Sequence, residues 1–181
     1  MPLSSALLSA GRRATFLERK LLDTELAYLA GFLDGEGTIG LFKTSGANAF
    51  KVPCISVSST DRYLLDAYVH RFGGHIQTKA SKRPENHRQA YEYRLRGPKA
   101  ICAISELFPY LRHHVKRARA TMILEHFTKI TKRNGKYTEA ERAIKIRWEE
   151  LFLSLSSRGG DAWTRDYQQF AVGDDDRNSD D

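Results

Sequence analysis

Residues 29–37 are Leu29-Ala30-Gly31-Phe32-Leu33-Asp34-Gly35-Glu36-Gly37, and this stretch decides how the rest of the chain is interpreted. Its apolar start predicts the last turns of a helix, with two carboxylates, Asp34 and Glu36, at the carboxyl end. An acid there costs about 0.3–1 kcal/mol, because the exposed carbonyls already carry partial negative charge. A divalent cation reverses that cost, since carboxylates and carbonyls are both hard oxygen ligands suited to Mg²⁺. The alternative is a helix end with incidental acids, which fits Asp34 better than Glu36.

The segments on either side predict an α+β domain. Asp23 or Thr24 can cap the helix, and Gly35 and Gly37 mark its end. The elements predicted after it are strands over 38–44 and 51–59, a helix from Asp61 to Gly73-Gly74, strands over 75–80 and 91–96, and helices over 98–108, 115–131 and 138–156. The order αββαββα, without a repeated βαβ unit, predicts a four-stranded antiparallel sheet packed against helices.

One face of the predicted sheet carries positive charge. Alternation along the last two strands puts Gln77 and Lys79 on one face, and likewise Arg94 and Arg96. The opposite face carries the tyrosines and Leu95, which favours packing against helices. We therefore expect the polar face to be presented to an outside partner.

The charge of the chain indicates what kind of partner this is. The chain holds 29 Lys and Arg against 22 Asp and Glu, a net charge of +7. Seven acids and two bases fall in residues 161–181, which leaves 27 basic against 15 acidic residues in residues 1–160. A basic body of this size indicates a polyanion, most commonly nucleic acid, although a merely basic globular protein is also consistent with it. No apolar run approaches the ~20 residues of a membrane span, so we expect no membrane partner.

The chain is predicted to hold one folded domain between two terminal segments. Residues 1–22 form an N-terminal arm, residues 23–158 the domain, and residues 159–181 a C-terminal segment with an acidic tail. Residues 1–16 contain two Arg and no acid, which is typical of an organellar presequence but equally of a basic arm. The sequence therefore does not decide between the cytoplasm of a bacterium, a mitochondrion and a chloroplast as the compartment of the protein.

Residues 29–37 resemble the motif of the LAGLIDADG homing endonuclease family, and further segments resemble the family in the same order. They are Ile55–Asp61, Leu64-Leu65, Phe72–Gly74, Tyr93–Leu95, Leu107–Leu111 and Val115–Ala120. Together they extend the resemblance over about residues 24–130. This ordered set is more specific than the nonapeptide alone. An unrelated basic α+β protein with a chance motif is the alternative.

The resemblance implies roles for individual residues. Glu36 corresponds to the essential divalent-metal ligand, with the Gly35 carbonyl beside it, although Asp is more usual at that position. Ser59 falls where family members often have a Gln or Asn that positions the attacking water. The basic residues implied near this pocket are Lys116, with His114 as a competing candidate, and Arg62.

The resemblance also implies a homodimer that cuts double-stranded DNA. With one motif copy in the chain, two motif helices would pack together through Leu29, Ala30, Gly31 and Leu33. Two-fold symmetry then implies a near-palindromic target, cut to promote insertion of an intron or mobile gene. Metal-assisted hydrolysis would use Mg²⁺, with two or more ions per dimer and Mn²⁺ able to substitute.

The polar sheet face would read the major groove, which admits antiparallel strands. Arg94 and Arg96 suit guanine, and Gln77 suits adenine. The other residues expected at this surface are Lys79, on guanine or phosphate, and Ser56 and Phe42 on the earlier strands. The competing interpretation is an intron RNA maturase, or a noncatalytic DNA-binding regulator, on the same fold. The acid at Glu36 argues against a purely noncatalytic protein.

Overall fold

Four antiparallel strands form one sheet in the order β1-β2-β4-β3. The computed structural model describes residues 16–43, 50–80, 88–132 and 135–155, with the side chains of residues 16–21 left out of the description. The strands are β1 (Gly37–Lys43), β2 (Lys51–Ser59), β3 (His75–Lys79) and β4 (Ala90–Arg96). The helices are α1 (Phe16–Glu36), α2 (Arg62–Phe72), α3 (Pro98–Leu107), α4 (His114–Met122) and α5 (Glu139–Ser154). The predicted order αββαββα is therefore confirmed.

The helices cover one face of the sheet, which we call the inner face. Ile39, Ile55 and Leu95 are in register across β1, β2 and β4 and are almost fully buried. Their neighbours Val57 and Tyr93 extend the same core. Because strand side chains alternate, the residues between them form the opposite, outer face.

α1 is the central core helix, and it begins earlier than predicted. The predicted start at Asp23 or Thr24 is wrong, because the helix begins at Phe16. Leu22, Leu26, Leu29 and Leu33 recur at helical spacing and pack into the core, so the apolar stripe continues through the expected cap. Residues 16–22, predicted as part of an arm, thus belong to the helix.

The junction between α1 and β1 requires a glycine. A Cβ on Gly37 would lie 2.9 Å from the carbonyl oxygen of Leu33 and closer still to its side chain. The chain therefore turns from helix to strand at Gly37 without any connecting residues. This close packing fixes the end of α1 against the first residue of the sheet.

The later elements largely follow their sequence signals. Asp61 caps α2 by accepting a hydrogen bond from the Tyr63 amide, and Thr138 and Glu141 form a capping box at the start of α5. The helix predicted over 115–131 is shorter, because after α4 the chain widens into a π-helical segment, Ile123–Phe127, and then turns.

α5 is held to the sheet by a charged contact. The Glu149 carboxylate accepts hydrogen bonds from the backbone amide of Lys51, at 3.0 Å, and from its ammonium group, at 2.7 Å. Trp148 and Phe152 fill the core beside it. Among the described residues, no helix combines the length and apolar character needed to cross a membrane. The predicted C-terminal segment and residues 1–15 of the predicted arm lie outside the described residues.

Candidate active site and nucleic-acid interface

Glu36 is the last residue of α1, and its side chain is exposed. Within the part of the chain that the structure describes, its carboxylate has no hydrogen-bond or ion-pair partner. The preceding residue, Gly35, is also exposed, and a Cβ there would meet nothing within 4 Å. The carboxyl end of α1 therefore presents an unpaired carboxylate to solvent.

Asp34, two residues earlier, is engaged in the fold. Its Oδ2 atom accepts hydrogen bonds from the backbone amides of Arg112, at 2.6 Å, and His113, at 3.1 Å. These amides precede α4, so the carboxylate fixes the start of α4 against the end of α1. The two acids thus differ: Asp34 has a structural role, and Glu36 is free for chemistry.

Lys116 closes the end of α1 from the α4 side. Its ammonium group donates hydrogen bonds to the carbonyl oxygens of Leu33, at 2.9 Å, and Asp34, at 2.5 Å. Burial lowers the pKa of Lys116 from its ordinary value, and the carboxylates of Asp34 and Glu36 oppose that shift. A cation at this position offsets the negative potential of the helix end.

The structure distinguishes the two basic candidates for the site. Lys116 lies at the end of α1, whereas His114 is exposed and its ring stacks on that of His113, with centroids 5.1 Å apart. Burial is the main cause that lowers the pKa of His113, with contributions from Lys116 and His114. Lys116 is therefore the basic side chain that the fold brings to the helix end.

Ser59 is the last residue of β2 and Arg62 the first of α2, so they flank the turn between these elements. The Ser59 hydroxyl accepts a hydrogen bond from the Asp61 amide at 2.9 Å, so it shapes the turn before the helix. Arg62 is exposed, pairs with Asp66 at 3.8 Å, and lies 5.9 Å from the Tyr91 ring centroid. Neither side chain contacts Glu36 in the described structure.

The outer face holds the residues expected to bind DNA. Ser56 on β2 is in register with Arg94 on β4, which is in register with His75 on β3. The same face carries Gln77 and Lys79, which follow His75 by two and four residues, and Arg96, which follows Arg94 by two. It also carries Phe42, because Phe42 pairs with Val52, four residues before Ser56 on β2. The predicted division of the strand faces is confirmed.

Contacts along the outer face hold its long side chains. The guanidinium of Arg96 lies 3.4 Å from the Phe42 ring centroid, a cation–π contact. Lys79 donates a hydrogen bond to the Ser58 hydroxyl at 3.2 Å. Gln77 and Arg94 both donate to Glu92. The face is therefore arranged before any partner binds.

The prediction of a dimer interface is wrong for three of its four residues. Leu29, Ala30 and Leu33 are between 0% and 1% exposed within the single chain, so their side chains belong to its core. Gly31 faces outward, and a Cβ there would meet nothing within 4 Å. The exposed strip of α1 on this side includes Ala27, Tyr28, Gly31 and Gly35.

Comparison with known proteins supports the resemblance for the first part of the domain. Residues 23–109 match the family model of the LAGLIDADG-like domain. The chain carries a LAGLIDADG-like domain. The match confirms the resemblance over most of the stretch that the sequence indicated. Among curated proteins, no sequence matches this chain.

Solved structures show the same fold. The homing endonuclease I-CvuI, in complex with its target in the presence of Ca, is 20% identical with a TM-score of 0.59, over 76% of this chain and 85% of that one. The group I intron-encoded homing endonuclease I-CeuI, complexed with DNA, is 18% identical with a TM-score of 0.52, over 80% of this chain and 75% of that one. The LAGLIDADG-like domain therefore has the LAGLIDADG homing endonuclease fold.

Sequence reasoning did not assign a function to Glu92. Strand alternation already put this residue on the same face as Arg94 and Arg96. Its register with Gln77, however, follows from the pairing of β3 with β4, which a single sequence does not specify. The sequence favours Asp34 over Glu36 as an acid that merely ends the helix, but it gives no sign of the Asp34 partners, Arg112 and His113.

Proposed function

We propose that this protein is a metal-dependent, site-specific DNA endonuclease that acts as a homodimer. One observation carries the proposal: Glu36 offers a free carboxylate at the edge of a preorganised basic sheet face. Thr38, two residues after Glu36, is in register with Ser56, which is in register with Arg94. Three DNA complexes of two fold relatives, I-CvuI and I-CeuI, support this assignment.

Base reading belongs to the outer face in this proposal. An antiparallel sheet fits the major groove, where each base pair has its own pattern of donors and acceptors. Arg94 and Arg96 suit bidentate contact with guanine, and Gln77 suits adenine. Ser56 and Lys79 complete the surface, and Arg62, the first residue of α2, is a further candidate for DNA contact.

A divalent metal would bind at the carboxyl end of α1. Glu36 supplies a carboxylate and Gly35 a carbonyl, the hard oxygen ligands that Mg²⁺ or Mn²⁺ accepts. Within the described residues, no group of three or more His, Cys, Asp or Glu side chains could hold a metal alone. The remaining ligands would therefore come from DNA phosphates, water and a second copy of the chain. When bound, the metal polarises the phosphate and activates water.

The neighbouring side chains support that chemistry. Lys116 holds the helix end and carries positive charge beside the place where phosphate would lie. Ser59, through its hydroxyl, remains the candidate for positioning water. Asp34 keeps α4, and hence Lys116, in place.

Dimerisation would bring two such helix ends together. Within the exposed strip, Ala27, Gly31 and Gly35 recur every fourth residue and carry no bulky side chain, so another helix could approach closely along this line, beside the exposed ring of Tyr28. An isologous contact through this strip gives a two-fold axis and a near-palindromic target.

The proposal is tested by selection from a randomised double-stranded DNA library. The protein is incubated with the library in Mg²⁺ and in Ca²⁺, and cut and bound fragments are sequenced, with Glu36→Gln as control. We expect Mg²⁺-dependent cuts at one long near-palindromic sequence, absent with Glu36→Gln. Specific retention without cutting would overturn the nuclease assignment in favour of a regulator. Binding of structured intron RNA but not DNA would favour a maturase.

A further inference from the structure

Glu92 lies in the middle of the outer face, and it is an acid among basic side chains. On β4 it is in register with Ser58 on one side and Gln77 on the other. Its side chain is 11% exposed, which is low for a carboxylate on a solvent-facing sheet surface. Two strands therefore flank it, and its neighbours cover most of it.

One oxygen atom of Glu92 joins two base-reading candidates. Oε2 accepts a hydrogen bond from the Gln77 amide nitrogen at 2.9 Å and from the Arg94 guanidinium at 2.7 Å. These donors come from different strands, so the carboxylate links β3 to β4 through side chains. Hydrogen bonds to an ionised acceptor are stronger than those between neutral groups.

We propose that Glu92 is a specificity-determining positioning residue that sets the orientation of Gln77 and Arg94 for base reading. The inference rests on the proposed DNA-binding function of the outer face. Long side chains lose rotamer freedom when they bind, and this loss costs free energy. Glu92 already holds Gln77 and Arg94 in one orientation, so the cost is reduced only for bases that fit that orientation. Glu92 thus couples the two contacts, so that a mismatch under one residue weakens the other.

The negative charge of Glu92 also lowers affinity for DNA of any sequence, whereas its positioning role favours the matching sequence. A carboxylate facing DNA repels phosphates wherever the protein binds, so it weakens binding to every sequence. Glu92→Gln keeps the size of the side chain but removes the charge. We expect tighter binding to random DNA and, at the base pairs read by Gln77 and Arg94, discrimination reduced by about tenfold. A residue that merely stabilised the sheet would not separate these two quantities.

The experiment measures binding in Ca²⁺ to the selected target and to its single-base variants. Wild type and Glu92→Gln are compared with Glu106→Gln, which removes an equal charge from α3, where Glu106 pairs with Arg71. Circular dichroism melting checks that each variant is folded. We expect Glu106→Gln to keep the wild-type base preferences, and Glu92→Gln to lose discrimination at two positions while binding random DNA more tightly.

Two results separate this inference from the proposed function. Sequence-specific binding by wild type with identical base preferences in Glu92→Gln overturns the role of Glu92 alone. The absence of specific DNA binding by wild type overturns both proposals. Should Glu92→Gln not fold, Gln77→Ala leaves Glu92 in place and is expected to weaken discrimination at the Arg94 base pair as well as its own. An effect confined to its own base pair overturns the coupling.

Discussion

The ammonium nitrogen of Lys116 lies 2.5 Å from the backbone carbonyl oxygen of Asp34. The same Asp34 accepts two amide hydrogen bonds through its side chain, so α1 and α4 are joined in both directions. Asp34 and Lys116 therefore make the contacts that hold this helix end in the fold. Glu36 makes no such contact with the described residues, as expected for a carboxylate that binds a metal.

Replacing Asp34 should destabilise the fold, whereas replacing Glu36 should not. Asp34→Ala leaves the amides of Arg112 and His113 without their acceptor, at a cost of about 1–3 kcal/mol in the free energy of unfolding. Glu36→Ala should change it by no more than about 0.5 kcal/mol, since the side chain is exposed. Urea denaturation of both variants measures the difference. Equal stability of the two variants would contradict the structural role of Asp34.

The exposed strip of α1 predicts how the oligomeric state depends on Gly31. A Cβ at Gly31 would meet nothing within 4 Å, and leucine favours a helix by up to about 1 kcal/mol over glycine. The monomer should therefore stay folded while close helix contact between two copies is blocked. Sedimentation should show dimers for wild type and for Gly31→Ala, and monomers for Gly31→Leu. A dimeric Gly31→Leu would exclude this strip as the interface.

The two cysteines report where DNA binds. Cys54 lies on the outer face in register with Arg96, whereas Cys102 is exposed on α3, behind the opposite face of the sheet. DNA should slow alkylation of Cys54 by N-ethylmaleimide several-fold and leave Cys102 unaffected, as followed by peptide mass spectrometry. Burial raises the pKa of the Cys54 thiol, so the measurement needs mildly alkaline buffer. Equal protection of both cysteines, or of Cys102 alone, would place DNA elsewhere.

Lys145 predicts a pH dependence of stability. It is fully buried, donates to the Thr131 hydroxyl at 2.6 Å, and lies 3.9 Å from the Phe127 ring centroid. Burial lowers its pKa to about 8, partly opposed by Glu149, against about 10.4 in an unfolded chain. Between these values the unfolded state binds more protons, so stability rises with pH, by at most about 1.4 kcal/mol per pH unit.

Lys145→Met removes this titration and keeps a similar side-chain length. Denaturant unfolding from pH 7.5 to 10 should show the stability of wild type rising relative to that of Lys145→Met. Parallel curves for the two proteins would show that Lys145 does not titrate in this window.

Local patterns predicted much of the fold and the composition of the outer face. Period-two alternation assigned Gln77, Lys79, Arg94 and Arg96 to one surface, and the cap at Asp61 followed from its residue type. Contacts between distant segments were not predictable in this way. Asp34 meets Arg112 across 78 residues of sequence, and nothing local to either residue indicates that meeting.

The motif helix shows the same limit. Its small and apolar residues indicated helix packing, but Leu29, Ala30 and Leu33 pack against their own chain. Residues 26–33 of this helix are apolar or small on every side, so which side faces the core depends on where the sheet lies. Only Gly31 of the expected set lies on the outward side.

The central claim is that Glu36 is the catalytic metal ligand, and single-turnover cleavage of the selected target tests it most directly. With Mg²⁺, Glu36→Gln should cut slower than wild type by about 100-fold or more, while its DNA binding without divalent metal and its unfolding free energy stay unchanged. Glu36→Asp, which keeps the carboxylate, should retain cleavage. Wild-type cleavage by Glu36→Gln would contradict the claim.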